Sequence, residues 1–259
     1  MRIFIIITFL CCSLASWGKN QIKENQLHGH SHNDYKQDKP FVRAYEDGME
    51  SIEADVFLKE GKLFVAHEEK EIRPGRTLDV LYLQPLFQRY VANGGYPFAD
   101  TSKSLQLVID IKEHHQDVIP AIVRYLKPYM TMVRVEKARK PIHIVISGDM
   151  PKPAQFKNFP DFISFDGRPG IAYQPDELKR IAMVSVSMNV YSHWDGVEEL
   201  SEADRAKMKA VVQTAKNMGK PFRFWATPDT EKAWTELAEL GVTWLNTDHP
   251  DQLKKWLYP

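Results

Sequence analysis

Cysteine is nearly missing from this chain of 259 residues: it occurs twice, as the adjacent pair Cys11 and Cys12. If that stretch is a removable leader, what remains can form neither a disulfide nor a thiolate nucleophile. Stability then has to come from packing, and chemistry from other side chains. Net charge is missing too, because 34 Lys and Arg balance 34 Asp and Glu. A chain without a positive field lacks the electrostatic footprint of a nucleic-acid binder, so no nucleic-acid partner is expected. No apolar run approaches the roughly 20 residues that a membrane-spanning helix requires, so the mature chain should hold no transmembrane segment. Finally, no Gly-rich phosphate fingerprint follows the first strand-like segment, which argues against a doubly wound nucleotide-binding sheet.

What is present begins with a leader. Residues 1–18 place Arg2 ahead of an apolar stretch over 3–10 and then small residues, the layout of a secretory signal peptide. Cleavage after Ala15 or Gly18 leaves residues 19–259 as a single domain, secreted or periplasmic. Acylation of Cys11 or Cys12 as a lipoprotein anchor is disfavoured, since Phe9 and Leu10 stand where small residues are needed.

Eight apolar, β-branched-rich segments follow, at 26–31, 51–57, 105–112, 141–147, 161–165, 183–190, 221–226 and 242–247, and read as strands. Helical periodicity occupies the spaces between them, at 78–91, 178–182, 202–218 and 229–240, with Gly219 and Gly241 just past the last two. A ninth extended piece over 61–67 is expected beside the second strand. Eight strands alternating with helices in a chain of this length predict an α/β fold of the TIM (β/α)₈ barrel type.

A barrel of that type gathers its reactive groups at the carboxyl ends of its strands. The first segment ends His28-Gly29-His30-Ser31-His32-Asn33-Asp34, and strand alternation sends the three histidines to one side. In the second, Glu53 and Asp55 share one face while Ile52, Ala54 and Val56 share the other. Two carboxylates turned into a barrel need a positive partner, either a divalent cation or a lysine or arginine. Asp110, in the strand over 105–112, offers a third oxygen, and an all-carboxylate set suits Mg²⁺ or Ca²⁺ better than zinc. Lys112, two residues further on, is placed to help neutralise a phosphate. His67 ends another apolar run. Two imidazoles flanking a phosphate can divide the removal and delivery of a proton, which is phosphodiester chemistry.

These residues resemble a known family. The order His30-x-x-Asn33, Glu53-x-Asp55, His67, Asp110-x-Lys112 is similar to the glycerophosphodiester phosphodiesterase-like group of the phospholipase C-like superfamily. The stretches HSHNDY, SIEADVFL, LFVAHE, RFWATPD and WLNTDHP resemble its branch typified by altered inheritance of mitochondria protein 6. The resemblance covers nearly the whole mature chain. It implies a phosphoric diester hydrolase with His30 and His67 in acid–base catalysis, one divalent cation, Mg²⁺ or Ca²⁺, on Glu53, Asp55 and Asp110, and Lys112 at the phosphate. Trp225 and Asn246 are implied in the pocket lining, with His32 and Asn33 beside them. The substrate is expected to be a small phosphodiester or a phospholipid-derived molecule. HRG and ENT, typical of the main branch, are absent, and Glu68 stands where that branch commonly has Asp.

Two other readings stay open. A first-strand His-x-His also opens amidohydrolase-like metal hydrolases, in which both histidines bind zinc or iron, and His193 and Asp248 mimic part of that pattern. That reading leaves Glu53, Asp55 and Asp110 without a role. The other alternative is a barrel that binds a phosphorylated ligand without turning it over.

Overall fold

The computed structural model describes residues 27–133 and 142–259. The expected leader, with both cysteines, lies outside the described residues. Among the described residues nine strands form one sheet: β1 (His28–Ser31), β2 (Ser51–Lys59), β3 (Lys62–Val65), β4 (Leu105–Ile111), β5 (Ile142–Gly148), β6 (Ile163–Gly167), β7 (Ile181–Ser187), β8 (Phe222–Trp225) and β9 (Trp244–Thr247). Their order is β1-β9-β8-β7-β6-β5-β4-β2, and β1 also pairs with β2, which closes eight parallel strands into the expected barrel. β3 is the ninth piece, an antiparallel hairpin partner of β2. Closure leaves the eight parallel strands without an open edge.

The helices are α1 (Val42–Glu46), α2 (Gln84–Ala92), α3 (His115–Leu126), α4 (Met130–Val133), α5 (Pro175–Lys179), α6 (Glu202–Asn217), α7 (Glu231–Glu239) and α8 (Pro250–Leu257). They cover the outer face of the barrel. On β2, β4 and β5 the outward set Ile52, Ala54, Val56, Leu107, Ile109, Ile111, Ile144 and Ile146 is at most 1% exposed. Burying each of the larger ones contributes about 1.5–3 kcal/mol. Alternation turns the other set inward, where Val108, Val145, Met183 and Trp244 form a separate apolar plug. The barrel is therefore filled below and polar above.

Several expected boundaries move. The helix expected over 178–182 lies instead at α5, because Ile181 pairs with Phe165 and draws residues 181 and 182 into β7. The strand expected to reach residue 190 ends at Ser187, whose hydroxyl accepts from the Asn189 amide and starts a 3₁₀ turn. The helix expected from residue 78 opens with a π turn, Asp79–Leu83, before α2, which carries Pro85 in its first turn. Strand and helix pairing in three dimensions overrides local periodicity at each of these points. His115 opens α3, and its Nδ1 bonds the Asp149 carboxylate at 2.9 Å.

Candidate active site

β1 is only four residues long, and that decides the fates of its histidines. His30 is in register with Ser51 on β2 and Asn246 on β9, so it points into the barrel and is fully buried. Its Nδ1 lies 2.6 Å from Ser51 Oγ, while Nε2 lies against both Arg223 Nη1 and Glu53 Oε2, the latter at 3.1 Å. Burial first, and then the Arg223 charge, push its pKa down to about 4. A neutral ring is the form that can accept from a guanidinium. Both ring nitrogens are thus engaged beneath the pocket.

His32 lies just past the strand end and reaches the opening. Its Nδ1–H donates to Asp248 Oδ1 at 2.7 Å, and Nε2 lies 3.8 Å from Glu53 Oε1. Burial opposes the charge on this ring, but the Asp248 hydrogen bond and the Glu53 charge outweigh it and raise the pKa. Asn33 takes up the left-handed conformation that turns the chain here, and its amide donates to the same Asp248 carboxylate. His67 follows β3, with Nδ1 3.0 Å from Asp55 Oδ2 and its side chain about half exposed. The Tyr35 hydroxyl lies 3.1 Å from the same nitrogen and donates to Asn33 Oδ1.

The carboxylates follow from sheet register. Asp55 and Asp110 are direct cross-strand partners in β2 and β4. Lys112 sits between them, with Nζ 2.6 Å from Asp55 Oδ2 and 3.0 Å from Asp110 Oδ1. Glu53 lies one layer down, 3.0 Å from Arg223 Nη1. Burial works against the Glu53 charge, yet the His30 contact and Arg223 hold its pKa well below the usual range. Asp110 behaves in the opposite way: burial, with the Glu53 charge, pushes it up to about 6 against the pull of Lys112. The positive partner these carboxylates need is therefore supplied in part by Lys112 and Arg223. Among the described residues no three His, Asp or Glu side chains stand together as a ready set of metal ligands. Two carboxylate oxygens at the site, Asp55 Oδ1 and Asp166 Oδ1, are buried without a hydrogen-bond partner among the described residues.

His32, Asn33, Glu53, Asp55, His67, Asp110, Lys112 and Trp225 all line one cavity of about 260 Å³. Of the residues expected at the site, His30 and Asn246 do not line it; they lie below, bonded to Arg223. Gly148 closes one side of the cavity at a φ of 74°, and a Cβ there would lie 2.3 Å from the Ile111 carbonyl and 2.7 Å from Asp110 Oδ1. Only glycine keeps that wall clear.

Two arginines at the site escaped the sequence reading. Arg223 precedes Trp225 by two residues on the short strand β8 and so shares its inward face. Arg168 follows β6 and lines the cavity, held by the fully buried Asp166. The signal was Asp166-Gly167-Arg168, just beyond a segment expected to stop at residue 165.

Residues 21–159 match the AIM6-like phosphodiesterase domain, and residues 221–251 match the glycerophosphoryl diester phosphodiesterase family. The altered inheritance of mitochondria protein 6 homolog of Arthroderma benhamiae is 29% identical, over 87% of this chain and 82% of that protein. Altered inheritance of mitochondria protein 6 from Kluyveromyces lactis is 33% identical over 47% of this chain and 38% of its own. The same-named protein of Lachancea thermotolerans is 25% identical over 86% of this chain and 64% of its own. Among solved structures, a glycerophosphodiester phosphodiesterase from Parabacteroides distasonis shares the fold with a TM-score of 0.55 and 18% identity, over 90% of this chain and 97% of that one. One from Agrobacterium tumefaciens does so with a TM-score of 0.52 and 14% identity, over 89% and 98%. The first of these matches spans the strands that carry Glu53, Asp55, His67, Asp110 and Lys112, and on that match the chain belongs to the AIM6-like phosphodiesterase family.

Proposed function

We propose that this protein is a phosphoric diester hydrolase in which His32 and His67 move the protons. One observation carries the reading: both imidazoles line the same cavity, and each has its Nδ1 at a carboxylate, Asp248 for His32 and Asp55 for His67. A carboxylate at Nδ1 sets the tautomer and leaves Nε2 for exchange with a ligand. One ring takes the proton from the attacking hydroxyl or water, and the other delivers a proton to the departing oxygen. The part that the family resemblance assigns to His30 passes to His32 in this reading. His30 instead orients Glu53 and Arg223 from below.

The residues fit a divalent cation in two respects, the unpartnered Asp55 Oδ1 and the raised pKa of Asp110. Glu53, Asp55 and Asp110 are the residues that would hold Mg²⁺ or Ca²⁺, and the bound ion supplies positive charge to the phosphate oxygens. Lys112 tempers the negative charge of Asp55 and Asp110, and Trp225 and Asn33 border the space for the substrate. A small phosphodiester or a phospholipid-derived one is the substrate class, in keeping with the names of the relatives that share the fold.

The test is hydrolysis of bis(p-nitrophenyl) phosphate by the full chain with Mg²⁺, with Ca²⁺ and in chelator, together with calorimetric titration of each ion. Turnover that needs an ion, and an ion affinity that drops in Asp110→Asn, are the expected results. A folded protein that turns over no diester under any of these conditions overturns the reading.

A further inference from the structure

Three cations stand at or under the cavity, and the protein has used different shares of their hydrogen-bonding capacity. The Lys112 ammonium is shared between two carboxylates. Arg223 also lines the cavity but is only 3% exposed, and its Nη1 is taken up by His30, Glu53 and Asn246. Arg168 differs from both. Its side chain keeps a third of its surface exposed, and every polar contact of its guanidinium among the described residues is made by Nη1. Those contacts are with Asp166 Oδ2 at 2.8 Å, Ser185 Oγ at 3.3 Å and the carbonyls of Asp166 and Gly167 at 3.2 and 3.1 Å. Nε and Nη2 are left without a protein acceptor there.

The anchor behind Arg168 is built. Asp166 is 1% exposed, and its Oδ2 also accepts from Ser147 at 3.1 Å and Ser185 at 2.5 Å. The Arg168 amide donates to the Tyr173 hydroxyl at 2.8 Å, which ties down the loop. One corner of the guanidinium is thereby pinned, while the Nε–Nη2 edge carries two parallel N–H groups. That edge matches two oxygens of one phosphate, a geometry an ammonium cannot reproduce. Position agrees with this. In the closed strand order β6 is four strands from β1 in either direction, so Arg168 faces the His32 side of the barrel across the cavity.

We propose that Arg168 is the oxyanion anchor of the site, gripping two oxygens of a phosphate from the wall opposite His32. The identity of that phosphate as part of a diester rests on the function proposed above, whereas the anion site rests on Arg168 and its anchor alone. The binding step involves no bond making.

The experiment compares wild type, Arg168→Gln and Arg168→Lys as full chains. Inorganic phosphate affinity is measured by calorimetry, and KM and kcat with bis(p-nitrophenyl) phosphate. Both variants should weaken phosphate and raise KM about tenfold or more, since each tenfold is about 1.4 kcal/mol, within the range of a charge-assisted bond. Lysine should not rescue. A role confined to supporting Asp166 predicts rescue by lysine, because the ion pair would survive, and that result overturns the proposal. Unchanged phosphate affinity in folded Arg168→Gln overturns it as well. Should the variants fail to fold, modification of the wild-type chain with phenylglyoxal decides: phosphate should protect Arg168, read by mass spectrometry, and no protection refutes the proposal. Loss of phosphate affinity in the variants with no wild-type diester turnover would uphold the anchor and overturn the function. Diester turnover with KM and phosphate affinity unmoved would do the reverse.

Discussion

The half of the barrel built from β1, β2 and β4 and the half built from β6 to β8 face each other across the cavity and differ in chemical character. The first carries the histidines and three of the carboxylates, and its Asp110 is short of positive charge. The second carries Asp166 with Ser185, Arg168 and Arg223. A barrel closes every strand end onto one space, so one wall can be specialised for moving protons and the other for holding charge. Arg223 links the two, reaching from β8 to Glu53 and His30. Breaking that link should give the largest effect. Arg223→Met keeps much of the volume and strands Glu53 in the barrel, and loss of one partner of a buried pair costs about 3–5 kcal/mol. Urea unfolding measures it, and a loss under about 1 kcal/mol would mean that the two walls are energetically independent.

Next in size is the wall that carries the histidines. His32→Ala and His67→Ala should each lower kcat by about 10²-fold, the usual scale for a positioned acid or base. Rate against pH should be bell-shaped in wild type and lose one limb in each variant. If His32→Ala leaves the rate intact while His30→Ala, still folded, removes it, the division of the two histidines drawn here is wrong.

Smaller are the pH effects on stability, which run in opposite directions at the two levels of the site. His30 has a folded pKa of about 4 against an ordinary 6.5, so its contribution is present above pH 6.5 and is lost as pH falls towards 4. For Asp110 the folded value of about 6 exceeds the ordinary 3.8, so its contribution is present below pH 3.8 and is lost as pH rises through 6. In chelator at pH 7, Asp110→Asn should therefore stabilise the protein by about 1–3 kcal/mol, the scale set by 1.36 kcal/mol per pKa unit. The gain should vanish near pH 4. A destabilised Asp110→Asn at pH 7 would make Asp110 a simple ion-pair partner of Lys112.

The wall that carries the histidines was the legible one. Glu53 and Asp55 alternate with apolar residues, and Asp110 interrupts an apolar strand, so the patterns name both the strand and the inward face. The holding wall was harder to read. Arg223 lies inside a four-residue strand where a charge looks like a surface position until Glu53 is known to face it. Arg168 stands beyond its strand, where periodicity stops informing. Between His30 and His32 alternation does not choose at all, since it sends both to the same side.

Local sequence by itself determined the strand count, the parallel barrel and the inward direction of the acidic pairs, because each depends on a period of two or on the spacing of strands and helices. Which histidine reaches the opening, which cation faces which carboxylate and which arginine keeps an edge unpaired were decided only by the closed sheet. Those properties depend on register between strands far apart in the chain, such as Asp55 against Asp110 and His30 against both Ser51 and Asn246. Register is set by closure and by packing against the helices, and no short stretch of sequence contains it.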